Sequence, residues 1–161
     1  MSPAFNPHDR DLWNGLFANV PAGWRTSPPS SAMVDCREFL LRSGATSVLD
    51  LGCGVGRWAV YLAKAGLEVS GSDFAENGLR YAEEWARAED LRLRLRCLPI
   101  TEQPFPGERF DAVVAALVLE NVSQLGTSGS FRAICACEGR VVRTWLFRAG
   151  ARRVGSRLRD T

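Results

Sequence analysis

Val48-Leu49-Asp50-Leu51-Gly52-Cys53-Gly54-Val55-Gly56 decides the fold. Ser47 to Leu51 is a short apolar run of strand type that ends on an acid and enters three glycines spaced two apart. A helix is expected from about Arg57 to Ala65, closed by Gly66. Glycines in such a turn admit backbone angles closed to other residues and let a ligand approach the main chain. N–H groups left free at the helix start would favour polar or anionic ligand groups. The register also discriminates. A dinucleotide fingerprint, G-x-G-x-x-G, would put its third glycine at position 57. That position is Arg57, and the third glycine is Gly56.

Working outward, Leu67-Glu68-Val69-Ser70-Gly71-Ser72-Asp73 reads as a second strand. A helix from about Glu76 to Ala88 follows, with Leu79, Ala82 and Ala86 on one face. Leu91 to Cys97 alternates leucine with arginine, as an edge strand with one wetter face does. A turn-rich stretch with Pro99, Pro104 and Pro106 leaves room for a further helix. Phe110 to Leu119 then reads as a buried parallel strand. On the N-terminal side, His8 to Asn19 is expected to be a short amphipathic helix. Pro21, Gly23, Pro28 and Pro29 make an irregular linker, and a second helix runs from Ser27-Pro28 to a stop at Gly44. Alternating strands and helices imply an α/β, Rossmann-like, doubly wound and mostly parallel sheet with helices on both faces, incomplete at its C-terminal end, with ligand at the carboxyl ends of the strands. Residues 1–44 are expected to be N-terminal helices and lid, 45–122 the core, and 123–161 a divergent tail.

The acid, the register and the strand-to-helix context together resemble the first motif of class I S-adenosylmethionine-dependent methyltransferases, an apolar strand, an acidic residue and then G-x-G-x-G. The resemblance covers roughly residues 10 to 122. Gly56-Arg57-Trp58 with Tyr61-Leu62-Ala63, Gly66 and Glu76-Asn77 looks most like small soluble members of the tellurite-resistance and thiopurine type. It implies S-adenosylmethionine as cofactor, held by Asp50, Gly52, Cys53, Gly54, Gly56 and Arg57. Asp73 ends the second strand about 20 residues past the loop, where an acid can accept both ribose hydroxyls. A helix N-cap is the plainer account of Asp73 taken alone. By the same resemblance Phe74 would lie against the adenine.

Further contacts follow from the family pattern. Leu98 and Pro99 occupy the place after the third strand where an acid often meets the adenine amino group. No acid stands there, so that contact is expected to be apolar or through backbone. Arg109-Phe110-Asp111 matches the family's later Phe-Asp. Ala116 and Leu117, toward the end of the fourth strand, are expected beside the cofactor. Glu120 follows in the segment that faces the methyl group, a candidate general base ahead of Asp11 and His8; the plain alternative is a solvated residue at a strand end. Trp13, Trp24 and Arg25, with Phe17, would be lid and substrate-side elements, and an aromatic face suits a sulfonium cation; simple core packing accounts for them equally.

Composition bounds the rest. The 161 residues are 46% hydrophobic and 24% charged, one soluble globular domain. The longest apolar run, Ala112 to Leu119, has eight residues, against about 20 for a membrane helix. No apolar signal core follows Met1, so a cytoplasmic protein away from membranes is expected. Cys36, Cys53 and Cys97 stand alone, and Cys135-Ala136-Cys137 has neither a second pair nor a nearby histidine, which argues for reduced thiols and no metal.

The charge is split: residues up to Val122 carry 16 acids and 12 bases, whereas Ser123 to Thr161 carries eight arginines against Glu138 and Asp160. After Val122 the pattern fades. Gly139 to Phe147 can make a fifth strand, and too few apolar residues follow for the two further strands of a complete fold of this class. Truncation or a frame change after about Val122, a minimal natural variant, and a basic arm that binds nucleic acid are the three readings. Two features argue against nucleic acid: the absence of an Asn/Asp-Pro-Pro-aromatic tetrapeptide, and arginines with no aromatic residue among the last of them. If the tail is not native, the fourth strand keeps an uncovered edge through which the chain self-associates. The expected function is methyl transfer to a small-molecule acceptor. A cofactor-binding fragment without catalysis and a nicotinamide oxidoreductase are the alternatives.

Overall fold

The computed structural model describes residues 7–100, 105, 107–116 and 143–147; side chains are described from Arg10 to Ala116 within those ranges. Five strands form one sheet: β1 (Ser47–Leu51), β2 (Glu68–Asp73), β3 (Leu93–Cys97), β4 (Ala112–Ala116) and β5 (Arg143–Phe147). Their order is β3-β2-β1-β4-β5, and every pairing is parallel. Chain order reverses between β1 and β4, the switch point at which a doubly wound sheet opens a crevice beyond its strand ends. The loop after β1 therefore lies where ligands bind such folds.

The strands read as they do because both faces of β1 and β4 are buried. Val48, Ala112 and Val114 join Cys36 and Leu40 of α3 (Ser31–Arg42) and Leu62 of α4 (Arg57–Ala63) in one apolar cluster. Leu49, Leu51, Val113 and Ala115 alternate onto the other side with Phe105 and Phe110. At the entry to both strands, Asp111 Oδ2 accepts from the backbone N–H and hydroxyl of Thr46 and of Ser47, at 2.8 to 3.2 Å. Those bonds hold its carboxyl down at about 2.

The helix α5 (Glu76–Ala88) has the expected bounds. The helix expected from Ser27-Pro28 instead starts at Ser31, with Ser30 as N-cap accepting from Met33 N at 3.3 Å. A residue that precedes proline is biased away from helical angles, so Pro28, before Pro29, cannot open the helix and Ser30 can. The linker expected to be irregular contains one helical turn, α2 (Gly23–Thr26), whose Gly23 carbonyl accepts from the Thr26 and Ser27 hydroxyls. Leu91 and Arg92 precede the alternating strand rather than belonging to it.

β3 is an edge strand, and its arginine face is the wetter one, with Arg94 and Arg96 exposed and Leu93 and Leu95 half-buried. Arg94 donates to Ser70 Oγ and pairs with Glu108 at 2.6 Å, and its guanidinium lies 5.1 Å from the Phe105 ring centre. β5 occupies part of the segment proposed for a fifth strand and covers the side of β4 that the truncated reading leaves open. The rest of that segment, and the room for a helix at 101–104, lie outside the described residues.

Candidate functional site

The loop after β1 is sewn to the end of β2. Gly52 N and Cys53 N both donate to the Ser72 carbonyl, at 2.7 and 3.0 Å; Gly56 N donates to the Cys53 carbonyl at 2.8 Å. Gly54 N donates to Asp73 Oδ2 at 2.9 Å. These four loop N–H groups are thus spent inside the protein. Ser72 lies at the last rung of the β1–β2 ladder, opposite Leu51, and its carbonyl points into the turn that follows. Gly56, the N-cap of α4, has φ +80, and a Cβ there would stand 2.6 Å from Ala82 Cβ. Only glycine lets α5 pass that close.

Two carboxylates are buried where the donors are spent. Asp50 is 2% exposed and Asp73 8%. Burial first, and the Asp73 charge second, push Asp50 up to about 7, while a hydrogen bond from the Ala59 backbone in α4 pulls the other way. Asp50 Oδ2 has no hydrogen-bond partner in the protein. Asp73 is also raised by burial, against backbone bonds from Ala75, Gly54 and Phe74. Its Oδ1 accepts from Ala75 N at 2.8 Å. Ala75, not Asp73, is the N-cap of α5, and it has no side-chain cap. Both Asp73 oxygens thus hold backbone, and with three backbone donors on its four acceptor sites the carboxylate keeps one lone pair for a ligand hydroxyl. A site with spent donors and two buried acids suits a cation with hydroxyl groups.

The other expected residues divide. Leu98 N donates to the Asp73 carbonyl at 2.9 Å, which brings Leu98 and Pro99 beside Asp73 and Phe74 at the strand ends. Ala116 ends β4, half-buried against the first cluster. Cys53 turns its Sγ toward Gly71, where an added Cβ would stand 2.9 Å away, so Cys53 faces the core and offers a ligand only backbone. Arg57 is directed elsewhere than expected, since its guanidinium donates to the Pro28 carbonyl at 2.8 Å. Arg25 lies 4.5 Å from the Tyr81 ring centre on α5, which is packing against a helix. Trp24 is 40% exposed. Trp13 stacks against Phe17, ring centres 5.4 Å apart, and Phe17 reaches the loop at Gly54. Asp11 is exposed. Leu117, Glu120 and the side chain of His8 lie outside the described residues. Asn14 was missed. It bonds Asn77 from 63 positions away, and a distant polar pair leaves no periodic signal in a sequence.

Residues 48–138, more than half of the chain, match the family described as Methyltransferase domain. The chain belongs to that family. The ubiquinone biosynthesis O-methyltransferase of Bradyrhizobium diazoefficiens is 36% identical to this methyltransferase domain over 97 residues, 56% of this chain and 38% of that protein. Its namesake in Rhodopseudomonas palustris strain BisB18 is 35% identical over 107 residues, 63% of this chain and 41% of that protein. The chain thus matches about two fifths of the length of these relatives. Among solved structures, TehB from Haemophilus influenzae is 28% identical with a TM-score of 0.51, covering 56% of this chain and 30% of that one. The magnesium protoporphyrin IX methyltransferase of Synechocystis PCC 6803 with bound SAM has a TM-score of 0.57 at 21% identity, covering 74% of this chain and 65% of that one, and attests the fold. Among the described residues, no helix of this methyltransferase domain is long and apolar enough to cross a membrane.

Proposed function

We propose that this chain binds S-adenosylmethionine on the loop after β1 and transfers its methyl group to a small-molecule acceptor. The observation that carries the reading is the charge of the site: the N–H groups of Gly52, Cys53, Gly54 and Gly56 are spent inside the protein, while Asp50 and Asp73 are buried beside them with acceptor capacity left over. The register argues against a nicotinamide dinucleotide, since Arg57 stands where its fingerprint has the third glycine. Family membership supports transfer, and the names of the ubiquinone biosynthesis relatives support an oxygen acceptor of small size.

When bound, S-adenosylmethionine supplies an electrophilic methyl group on a sulfonium sulfur. The chain's part is to bind and orient it. Asp73 offers its remaining acceptor site to a ribose hydroxyl. Phe74, Leu98 and Pro99 form the adenine side, and Ala116, at the end of β4, and Leu117 after it flank the cofactor. The backbone of Gly52, Cys53 and Gly54 and the Asp50 carboxylate surround the methionine part. Trp13 carries the substrate-side role; Trp24 and Arg25 act only by holding the lid. Glu120 is the base for an acceptor that must lose a proton. Residues 1–44 act as lid and 45–122 as cofactor core, and within the tail β5 (Arg143–Phe147) extends the sheet. Alignment of nucleophile, methyl and sulfur within about 3–3.5 Å is the main rate term. The chain is read as a cytoplasmic enzyme.

Turnover to S-adenosylhomocysteine with a pool of phenols, thiols and amines tests this reading. Production with phenols supports it. Binding of S-adenosylhomocysteine with no turnover on any acceptor reduces the chain to a cofactor-binding fragment.

A further inference from the structure

The N-terminal helix α1 (Pro7–Ala18) is fastened to the start of α5 by a reciprocal pair. Asn77 N donates to Asn14 Oδ1 at 3.0 Å, and Asn77 Nδ2 donates to the Asn14 carbonyl at 2.9 Å. The first of these bonds has the form of a helix cap. A cap side chain normally accepts from the second or third N–H of its helix, satisfying a donor that the helix cannot. Asn77 is the second residue of α5, and the N-cap Ala75 has no side chain that could accept. Asn14 therefore supplies, from another helix, the cap that Ala75 lacks.

The fastening puts Phe17, one turn further along α1, where three elements meet. A Cβ at Gly54 would stand 3.2 Å from Phe17 Cζ, and a Cβ at Gly78 would stand 2.8 Å from Phe17 Cδ2 and 3.0 Å from the Gly54 carbonyl carbon and oxygen. The ring thus rests at the crossing of the glycine loop and α5, in a space that exists because both positions lack side chains. Gly54 is constrained twice, by the Asp73 carboxylate on its N–H and by the Phe17 ring beside its Cα. Trp13, against Phe17, backs the ring.

We propose that Asn14 is a positioning residue for the cofactor site: by capping α5 at Asn77 it seats Phe17 against Gly54 and Gly78 and so holds the glycine loop in its ligand-accepting shape. This rests on the cofactor reading above. It makes the docking of α1 part of cofactor affinity rather than only a cover over the substrate.

The test compares wild type with Asn14→Ala, Asn14→Asp and Phe17→Leu, by calorimetry with S-adenosylhomocysteine and by hydrogen exchange of the ligand-free proteins. Asn14→Ala is expected to weaken binding by roughly fivefold or more and to speed exchange of the Gly54 amide by a similar factor. Asn14→Asp is expected to restore both, because a carboxylate still accepts from Asn77 N and suits a helix N-terminus. Phe17→Leu, which keeps an apolar group but loses the ring, is expected to follow Asn14→Ala, and it serves if Asn14→Ala does not fold. A folded Asn14→Ala protein with wild-type affinity and wild-type Gly54 exchange overturns the proposal. Failure of wild type to bind S-adenosylhomocysteine would overturn the cofactor reading instead; the exchange comparison would still decide whether Asn14 holds the loop.

Discussion

Asp73 Oδ2 accepts the Gly54 N–H at 2.9 Å, so the carboxylate that ends β2 holds the loop that follows β1. Its other oxygen holds Ala75 N and turns the chain into α5. One buried acid therefore shapes the glycine loop, the start of α5 and the site between them.

Asp73→Ala should accordingly lower stability as well as affinity. A buried donor left unpaired costs about 1–3 kcal/mol, and the N–H groups of Gly54, Phe74 and Ala75 all lose their acceptor here. The melting temperature should fall, and S-adenosylhomocysteine binding should weaken by at least about tenfold. A variant that melts like wild type while losing the ligand would show that these backbone bonds do not matter to the fold.

Gly56→Ala should be destabilising for two separable reasons. Its φ of +80 is strained for alanine, and the new methyl meets Ala82 Cβ. The strain alone is worth about 1–3 kcal/mol. In urea unfolding, the double variant Gly56→Ala with Ala82→Gly should recover the contact part and keep the strain part. Full recovery would place the whole cost in the contact, and no recovery would place it in the backbone.

The carboxyl of Asp50 stands at about 7 in the folded chain against an ordinary value of 3.8. The folded state then binds more protons than the unfolded one between those values, so this group makes the ligand-free protein lose stability as pH rises through that window. Asp50→Asn should flatten that slope and raise the urea midpoint above neutral pH. Identical pH profiles for the two proteins would contradict the burial of an ionisable Asp50.

Asp111 has the opposite sign and the opposite end of the sheet. Its carboxyl is held at about 2, below the ordinary 3.8, by the Thr46 and Ser47 bonds. Its stabilisation is present in full above the ordinary value and is lost as pH falls toward about 2. Asp111→Ala should lower the melting temperature at neutral pH, remove that acid-side loss, and leave S-adenosylhomocysteine affinity unchanged. Reduced affinity would mean that the strand entries are coupled to the glycine loop.

Much of this was legible because it is local or periodic. Leu79, Ala82 and Ala86 mark α5, the doubly apolar run at Ala112 marks β4, and the register of Gly52, Gly54 and Gly56 marks the site. What was not legible depends on partners far along the chain. The loop donors are spent on Ser72 and Asp73 only because β2 ends beside the turn. Arg57 goes to Pro28 because the proline turn passes near α4. Asn14 and Asn77 are ordinary surface residues in a sequence and become a joint only when α1 lies on α5. The start of α3 was misplaced for a local reason, the cap at Ser30 after two prolines.

We propose that the loop after β1 is built for a cationic, hydroxyl-bearing cofactor and not for a dinucleotide. Titration calorimetry of the chain with S-adenosylmethionine and with NADH tests it most directly. Saturable binding of S-adenosylmethionine, weakened by Asp73→Ala, and no heat with NADH are expected. Binding of NADH with none of S-adenosylmethionine would contradict it.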